Sequence, residues 1–161
     1  MDLKSGYPFW PIRHGLGAPM PALDGDARCE LLILGGGITG ALFADRFARE
    51  GLDVLLVDQR DVGWGSSAAS TALLQYEIDT PMTELAERYG ETLALRAYRA
   101  CLDAVDEVAA RAQALKVESA RSASLYLASR RRDLAGMSDE YALRLKHGFA
   151  VSWLGPAELR A

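Results

Sequence analysis

The sequence predicts an α/β fold built on a parallel strand, helix, strand unit, and three observations in one short stretch carry that prediction. An apolar run, Cys29-Glu30-Leu31-Leu32-Ile33-Leu34, breaks off at Gly35-Gly36-Gly37-Ile38-Thr39-Gly40. A helix-spaced pattern opens at once and stops at Gly51. A second apolar run, Asp53-Val54-Leu55-Leu56-Val57-Asp58, then ends in an acid.

Each piece has a physical role in a Rossmann-like dinucleotide-binding unit. The motif reads G-x-G-x-x-G at Gly35, Gly37 and Gly40. The first glycine allows the turn off the strand, the second admits a pyrophosphate to the backbone, and the third lets helix and strand pack closely. The N–H groups at the helix start then face an anion, and the helix dipole favours its charge. Between Ile38 and Glu50, the residues Ile38, Ala41, Leu42, Ala44 and Phe47 form the apolar side, with Asp45, Arg46, Arg49 and Glu50 largely opposite. The run from Val54 to Val57 predicts a parallel strand covered on both faces. Asp58 follows Gly35 by 23 positions, close to the spacing of about 20 at which a carboxylate meets a ribose hydroxyl. The alternative is a structural glycine turn beside a solvated or helix-capping Asp58. An acid there repels a 2′-phosphate, which disfavours NADP.

Composition excludes several classes. The chain has 161 residues, half of them hydrophobic and a quarter charged, with a formal net charge of −4. That is within the range of one soluble domain and offers no basic stripe for nucleic acid. The apolar runs are too short for a membrane span, and Pro8, Pro11, Pro19 and Pro21 interrupt the place of a signal peptide, so a cytoplasmic location is the default expectation. Cys29 and Cys101 are isolated and predicted to be small buried hydrophobes. His14 and His147 also lack ligand-spaced partners, and no metal site is expected.

Residues 1–28, with four prolines and the cluster Tyr7-Pro8-Phe9-Trp10, predict an extended arm rather than a helix. Such an arm packs on its own domain or on a partner subunit; the first is the simpler expectation. After Asp58, a second helix would suit an NAD-type fold. The chain instead enters Gln59-Arg60-Asp61-Val62-Gly63-Trp64-Gly65-Ser66-Ser67-Ala68-Ala69-Ser70-Thr71. Its small residues and hydroxyls suit close approach to a phosphate or planar ring, or a turn with Ser66 or Ser67 as a helix cap.

The glycine turn, the acid-terminated second strand and the Gly-x-Gly-Ser-Ser-x-x-Ser loop together resemble the FAD-dependent oxidoreductases of the D-amino-acid oxidase and glycine oxidase superfamily. The similarity is most specific from Leu31 to Asp79, including Leu74-Gln75-Tyr76-Glu77-Ile78-Asp79. The resemblance implies FAD as cofactor, a small-molecule amine or amino acid as substrate, and oxidation by hydride transfer. It implies diphosphate contacts at Gly35, Gly37, Ile38, Thr39 and Gly40, and an adenosine ribose at Asp58, where most such enzymes carry Glu. It further implies Gln59 and Arg60 near the adenosine, Ser66 and Ser67 toward the phosphates, and Ser70, Thr71, Ala72 and Leu73 beside the flavin ring. No catalytic side chain is assigned. The alternatives are an NAD-dependent enzyme, against which the Gly/Ser loop weighs, and a nucleotide-binding module without chemistry.

The remaining elements are predicted from pattern. Thr80-Pro81 reads as an N-cap and first helical position of a short helix ending near Gly90. A longer helix presents the stripe Leu93, Ala97, Ala100, Ala104, Val108, Ala112 and Leu115. Strands are expected at Ser124-Leu125-Tyr126-Leu127-Ala128 and Phe149-Ala150-Val151-Ser152-Trp153-Leu154, around a helix from Arg131 to Lys146. Arg130-Arg131-Arg132 reads as a solvated face at the start of that helix. The predicted organisation is thus an arm over 1–28, a FAD-binding unit over 29–79, and over 80–161 helices with the start of a mixed α+β substrate domain. Pro156-Ala157-Glu158-Leu159-Arg160 opens a helix, so the chain is expected to be the N-terminal portion of a longer protein.

Overall fold

The computed structural model describes residues 6–15 and 17–160. Residues 1–5 and Leu16 of the predicted arm, and Ala161, lie outside the described residues. The chain forms two compact units, Met1–Leu73 and Leu74–Ala161.

The first unit contains α1 (Phe9–His14), β1 (Leu31–Leu34), α2 (Ile38–Arg49), β2 (Val54–Val57) and a 3₁₀ turn at Ser66–Ala69. β1 and β2 pair in parallel, Leu31 opposite Val54 and Leu34 opposite Val57, and Gly35 extends the ladder by donating to the Val57 carbonyl at 2.8 Å. The predicted strand, turn, helix and strand are therefore all present. Their burial is less complete than the run of leucines suggests: Leu32 and Leu34 are 52% and 77% exposed, and Ile38 is 56% exposed. Ala41 is likewise exposed, leaving Leu42, Ala44 and Phe47 half-buried. One helix covers only one face of a two-stranded sheet, so the expected cover on both faces is not found among the described residues. The arm also departs from expectation, because Phe9–His14 is helical behind Pro8, with Pro11 in its first turn. Proline is tolerated there because the first N–H groups of a helix have no internal acceptor. Within the arm, α1 packs on its own unit, against the 3₁₀ turn.

The second unit is helical: α3 (Met82–Tyr89), α4 (Glu91–Ala114) and α5 (Leu134–Lys146), with short 3₁₀ turns at Arg131–Asp133 and Glu158–Arg160. Its core is Met82, Ala94, Tyr98 and Phe149, flanked by Tyr76, Leu85, Leu95, Leu102, Leu143 and Val151. The buried face of α4 thus runs through Ala94 and Tyr98, rotated from the predicted alanine stripe, of which Leu93, Ala100, Ala104 and Leu115 are exposed. Three aromatic rings set that phase: Tyr76 stacks on Phe149 at 5.7 Å and Tyr98 meets Phe149 edge-on at 6.1 Å. Neither predicted strand of this unit forms. Leu125, Tyr126 and Leu127 are exposed, and Phe149 enters the core from irregular chain. Apolar β-formers make a strand only when a neighbour takes up their backbone groups.

α3 begins at Met82, with Pro81 rather than Thr80 as its flanking residue and no cap from either. Glu140 of α5 supplies the cap. Its carboxylate accepts from the Met82 and Thr83 N–H groups, both at 2.9 Å, from the Thr83 hydroxyl at 3.0 Å and from Arg144 Nε at 2.7 Å. Burial opposes ionisation of Glu140, but the Thr83 and Met82 N–H groups and Arg144 outweigh it and hold the carboxyl below its ordinary range. Cys29 and Cys101 are half-exposed rather than buried, and His147 joins Lys146 around Glu91 Oε1, at 2.6 and 2.7 Å.

Tyr98 is fully buried and donates its hydroxyl to the Thr80 carbonyl at 2.9 Å. Burial, reinforced by the Glu140 charge, pushes its phenol up to about 12. The folded state therefore holds this proton more tightly than the unfolded chain. The resulting stability is fully present below an unfolded pKa of 10.0 and is lost as pH rises through about 12, a change of roughly 2–3 kcal/mol. Urea unfolding across that alkaline range should show a steeper fall for the wild type than for Tyr98→Phe; parallel curves would remove the buried phenol as the cause.

Candidate functional site

The glycine turn forms because β1 must end and α2 must begin within three residues. Gly35 has φ +106°, a region that a side chain disfavours. Gly37 flanks the helix with φ −73° and ψ −178° and no side-chain cap. Gly40 lies one turn in, where a Cβ would stand 2.0 Å from the Gly35 carbonyl oxygen and 3.3 Å from Ile33 Cγ2. A Cβ on Gly37 would meet only Ser67 Oγ, at 3.4 Å. The third glycine therefore sets helix-to-strand packing, and the second keeps open the space in front of the helix.

Gly36, which the motif leaves unspecified, is the junction of the site. It is buried, and its N–H donates to Asp58 Oδ2 at 2.6 Å. Its carbonyl accepts from the Gly63 N–H at 2.8 Å. A Cβ on Gly36 would press on Leu56 Cδ2 at 3.2 Å and Val62 Cγ2 at 3.3 Å. One residue thus ties together the glycine turn, the acid and the Gly/Ser loop. The unbroken Gly35-Gly36-Gly37 run is the only sequence signal of it.

Asp58 is exposed at the end of β2, and its second oxygen accepts from the Arg60 N–H at 2.8 Å. The Gly36 and Arg60 N–H groups hold its carboxyl below the ordinary value of 3.8, so it is an anion at neutral pH. Each oxygen retains a lone pair for a hydroxyl donor. Leu34, Gly35, Val57, Asp58, Gln59 and Arg60 line an open cleft of about 490 Å³.

Ser67 Oγ accepts from the Ile38 N–H at 2.9 Å, across the front of α2. Ser67, for which a helix cap is the alternative to a place near the phosphates, lies within its own 3₁₀ turn, which Gly65 precedes without a side-chain cap bond, and caps the distant α2. Its own hydroxyl hydrogen remains for an acceptor standing there. Ser66, Ser70, Thr71, Ala72 and Leu73 are exposed. The Trp10 indole N–H, which sequence reasoning missed, donates to the Ser70 carbonyl at 2.8 Å.

The donor set fits a diphosphate. Thr39 and Gly40 N–H groups at the start of α2 have no intrahelical acceptor, and the Ser67 side chain beside Gly37 adds a hydroxyl. Among the described residues, no group of three or more His, Cys, Asp or Glu is placed to hold a metal ion, and no helix is long and apolar enough to cross a membrane.

Comparison with known proteins agrees with this chemistry. The profile of the family described as FAD dependent oxidoreductase matches residues 30–161. A Bacillus subtilis (strain 168) protein, YhfW, whose name describes a Rieske 2Fe-2S iron-sulfur protein, is 33% identical over 100 residues, covering 62% of this chain and 19% of its own length. Alpha-glycerophosphate oxidase of Streptococcus pyogenes (serotype M1) is 37% identical over 67 residues, covering 37% of this chain and 11% of its own length. The chain therefore matches only about a fifth or less of these curated relatives. No solved structure matches. The family match spans most of the chain and includes the whole glycine turn, acid and Gly/Ser loop, and the protein accordingly belongs to the FAD-dependent oxidoreductases, a family with a Rossmann-like fold and FAD as its cofactor.

Proposed function

We propose that the first unit holds FAD, and that the protein oxidises an amine or amino acid at the carbon bearing nitrogen. The observation that carries the binding half is the convergence of Asp58 and Gly63 on the backbone groups of Gly36, and of Ser67 on the Ile38 N–H two residues further on. In this reading Gly35, Gly37, Ile38, Thr39 and Gly40 face the diphosphate, and Asp58 accepts from the ribose hydroxyls. Gln59 and Arg60 lie along the adenosine, and Ser66 and Ser67 donate to phosphate oxygens. Ser70, Thr71, Ala72 and Leu73 run beside the flavin ring, and the residues from 80 onward begin a substrate-binding domain. FAD, when bound, supplies the electron sink for the oxidation. The protein's own part is to bind, orient and electrostatically match the cofactor.

A second reading of the substrate is a carbon bearing a hydroxyl rather than an amine. It is favoured by the 37% identity to alpha-glycerophosphate oxidase over 67 residues. The two substrates share one demand on the site, a hydride removed next to a heteroatom.

Titration of the protein with FAD, followed by absorbance and thermal unfolding, tests the binding half. Saturable binding is expected, with a yellow complex and a gain of about 2.7 kcal/mol at a hundredfold excess over Kd, both lost in Gly37→Val. A well-folded protein that ignores FAD, or prefers NAD, overturns it. Anaerobic bleaching of the bound flavin by amines or amino acids supports the amine substrate; bleaching by α-glycerophosphate alone favours the second reading.

A further inference from the structure

We propose that the N-terminal helix α1 is a clamp on the segment Ser70–Leu73, with Trp10 as a positioning residue for the flavin side of the site. The inference rests on the reading that this segment lies beside the flavin ring. α1 has only six residues and no side-chain cap at its start, too short a helix to persist in water alone. It is held by docking. Trp10 is half-buried and reaches 60 residues along the chain to donate its indole N–H to the Ser70 carbonyl at 2.8 Å. Its ring is braced by parallel stacking on His14, centroids 5.8 Å apart, and by the edge contact with Phe9 at 4.9 Å.

Ser70 is where this contact becomes geometry. Its hydroxyl accepts from the Ala72 N–H at 3.1 Å, and Ala72 has φ +57°, a left-handed conformation that a Cβ disfavours. Such a conformation persists only where its surroundings fix it. At the other end of the loop, Ser67 is pinned to Ile38 of α2. The loop is thus hooked twice, to the phosphate side through Ser67 and to the arm through Ser70. Trp10 fixes the carbonyl of Ser70, Ser70 fixes the turn at Ala72, and that turn sets the direction in which Leu73 leaves the unit. The strain at Ala72 is what the second hook maintains.

Trp10→Phe keeps an aromatic ring beside Phe9 and His14 and removes the indole N–H donor together with the second ring. Hydrogen exchange on the ligand-free protein is the first readout: the Ala72 amide should exchange about 5–10-fold faster in the variant, the loss expected for one hydrogen bond, with β1 and β2 amides unchanged. Binding is the second: affinity for FAD should fall about fivefold and the flavin absorption band should shift, while affinity for ADP stays that of the wild type. An unchanged Ala72 amide overturns the clamp. So does exchange that rises evenly across the unit, or equal weakening of FAD and ADP, since either makes α1 a general stabiliser. Wild-type protein that binds ADP but not FAD refutes the underlying reading instead, a result separate from any difference between wild type and variant.

Discussion

Gly40→Ala is expected to unfold the first unit, whereas Gly37→Ala is expected to leave it folded and weaken FAD binding at least about a hundredfold, a loss near 2.7 kcal/mol. The two glycines belong to one motif but meet different obstacles. The added Cβ at position 40 would stand 2.0 Å from the Gly35 carbonyl oxygen, and that oxygen belongs to a backbone already held in the parallel ladder by the Gly35 bond to Val57. Neither side can yield without parting α2 from β1. Overpacking costs about 1–3 kcal/mol where side chains can shift, and a backbone clash exceeds that range. At position 37 the backbone is one that any residue adopts, and the new methyl meets Ser67 Oγ at an ordinary 3.4 Å. It occupies the space where a diphosphate would approach. Circular dichroism melts separate the two: a Gly40→Ala protein melting like the wild type would mean that the helix can ride away from the strand. Tight FAD binding by Gly37→Ala would mean that the diphosphate lies elsewhere.

Glu140→Ala is expected to destabilise the second unit by about 3–5 kcal/mol, the range for removing one member of a buried ion pair. Glu140 and Arg144 side chains are 7% and 13% exposed, and Glu140 also closes the start of α3 through Met82 and Thr83. Its loss leaves the Arg144 guanidinium beside the Tyr98 ring, 5.1 Å from its centroid, with the longer contact to Glu77 Oε1 at 3.4 Å in place of the 2.7 Å pair, and leaves two helix N–H groups unmet. The double variant Glu140→Leu/Arg144→Met removes both charges of the pair and should be less destabilised than Glu140→Ala, retaining the loss of a cap, about 1 kcal/mol, and of the Arg144 contact with Glu77. Chemical denaturation of the three proteins decides it. If the single and double variants lose the same stability, the buried cation left without Glu140 is not the source of the effect. The carboxyl is held below its unfolded value of 4.5, so this stabilisation is present above that pH and is lost as pH falls from there through the lower folded-state value.

The sequence made the first unit legible because its signals are local. Glycines at 35, 37 and 40, apolar runs on either side and an acid at 58 impose a turn, a helix and two strands within a few residues of each cause. What escaped was long-range. Ser67 could be read as a phosphate-side hydroxyl or as a cap for its own turn, but its bond to the Ile38 N–H 29 positions away was not legible, since nothing in the spacing of a serine names a distant donor. Trp10 bonds to a backbone carbonyl and Gly36 acts through its own backbone groups, and a backbone group carries no residue signature. In the second unit the phase of α4 was set by Tyr98 meeting Tyr76 and Phe149, ring contacts that an alanine count ignores. The extended segments around Tyr126 and Trp153 have strand composition without a strand beside them among the described residues. Periodicity reports what a segment prefers, and only a partner determines whether the preference is met.

The cap on α3 also sets a timetable for synthesis. Met82 waits for an acceptor 58 residues further along the chain, and its core neighbour Phe149 comes later still. At about 5–20 residues per second a ribosome leaves that helix start open for roughly 3–12 s. Through that interval the nascent α3 and α4 carry the Met82 and Tyr98 face uncovered, and the second unit closes in a late step once α5 and Phe149 have emerged.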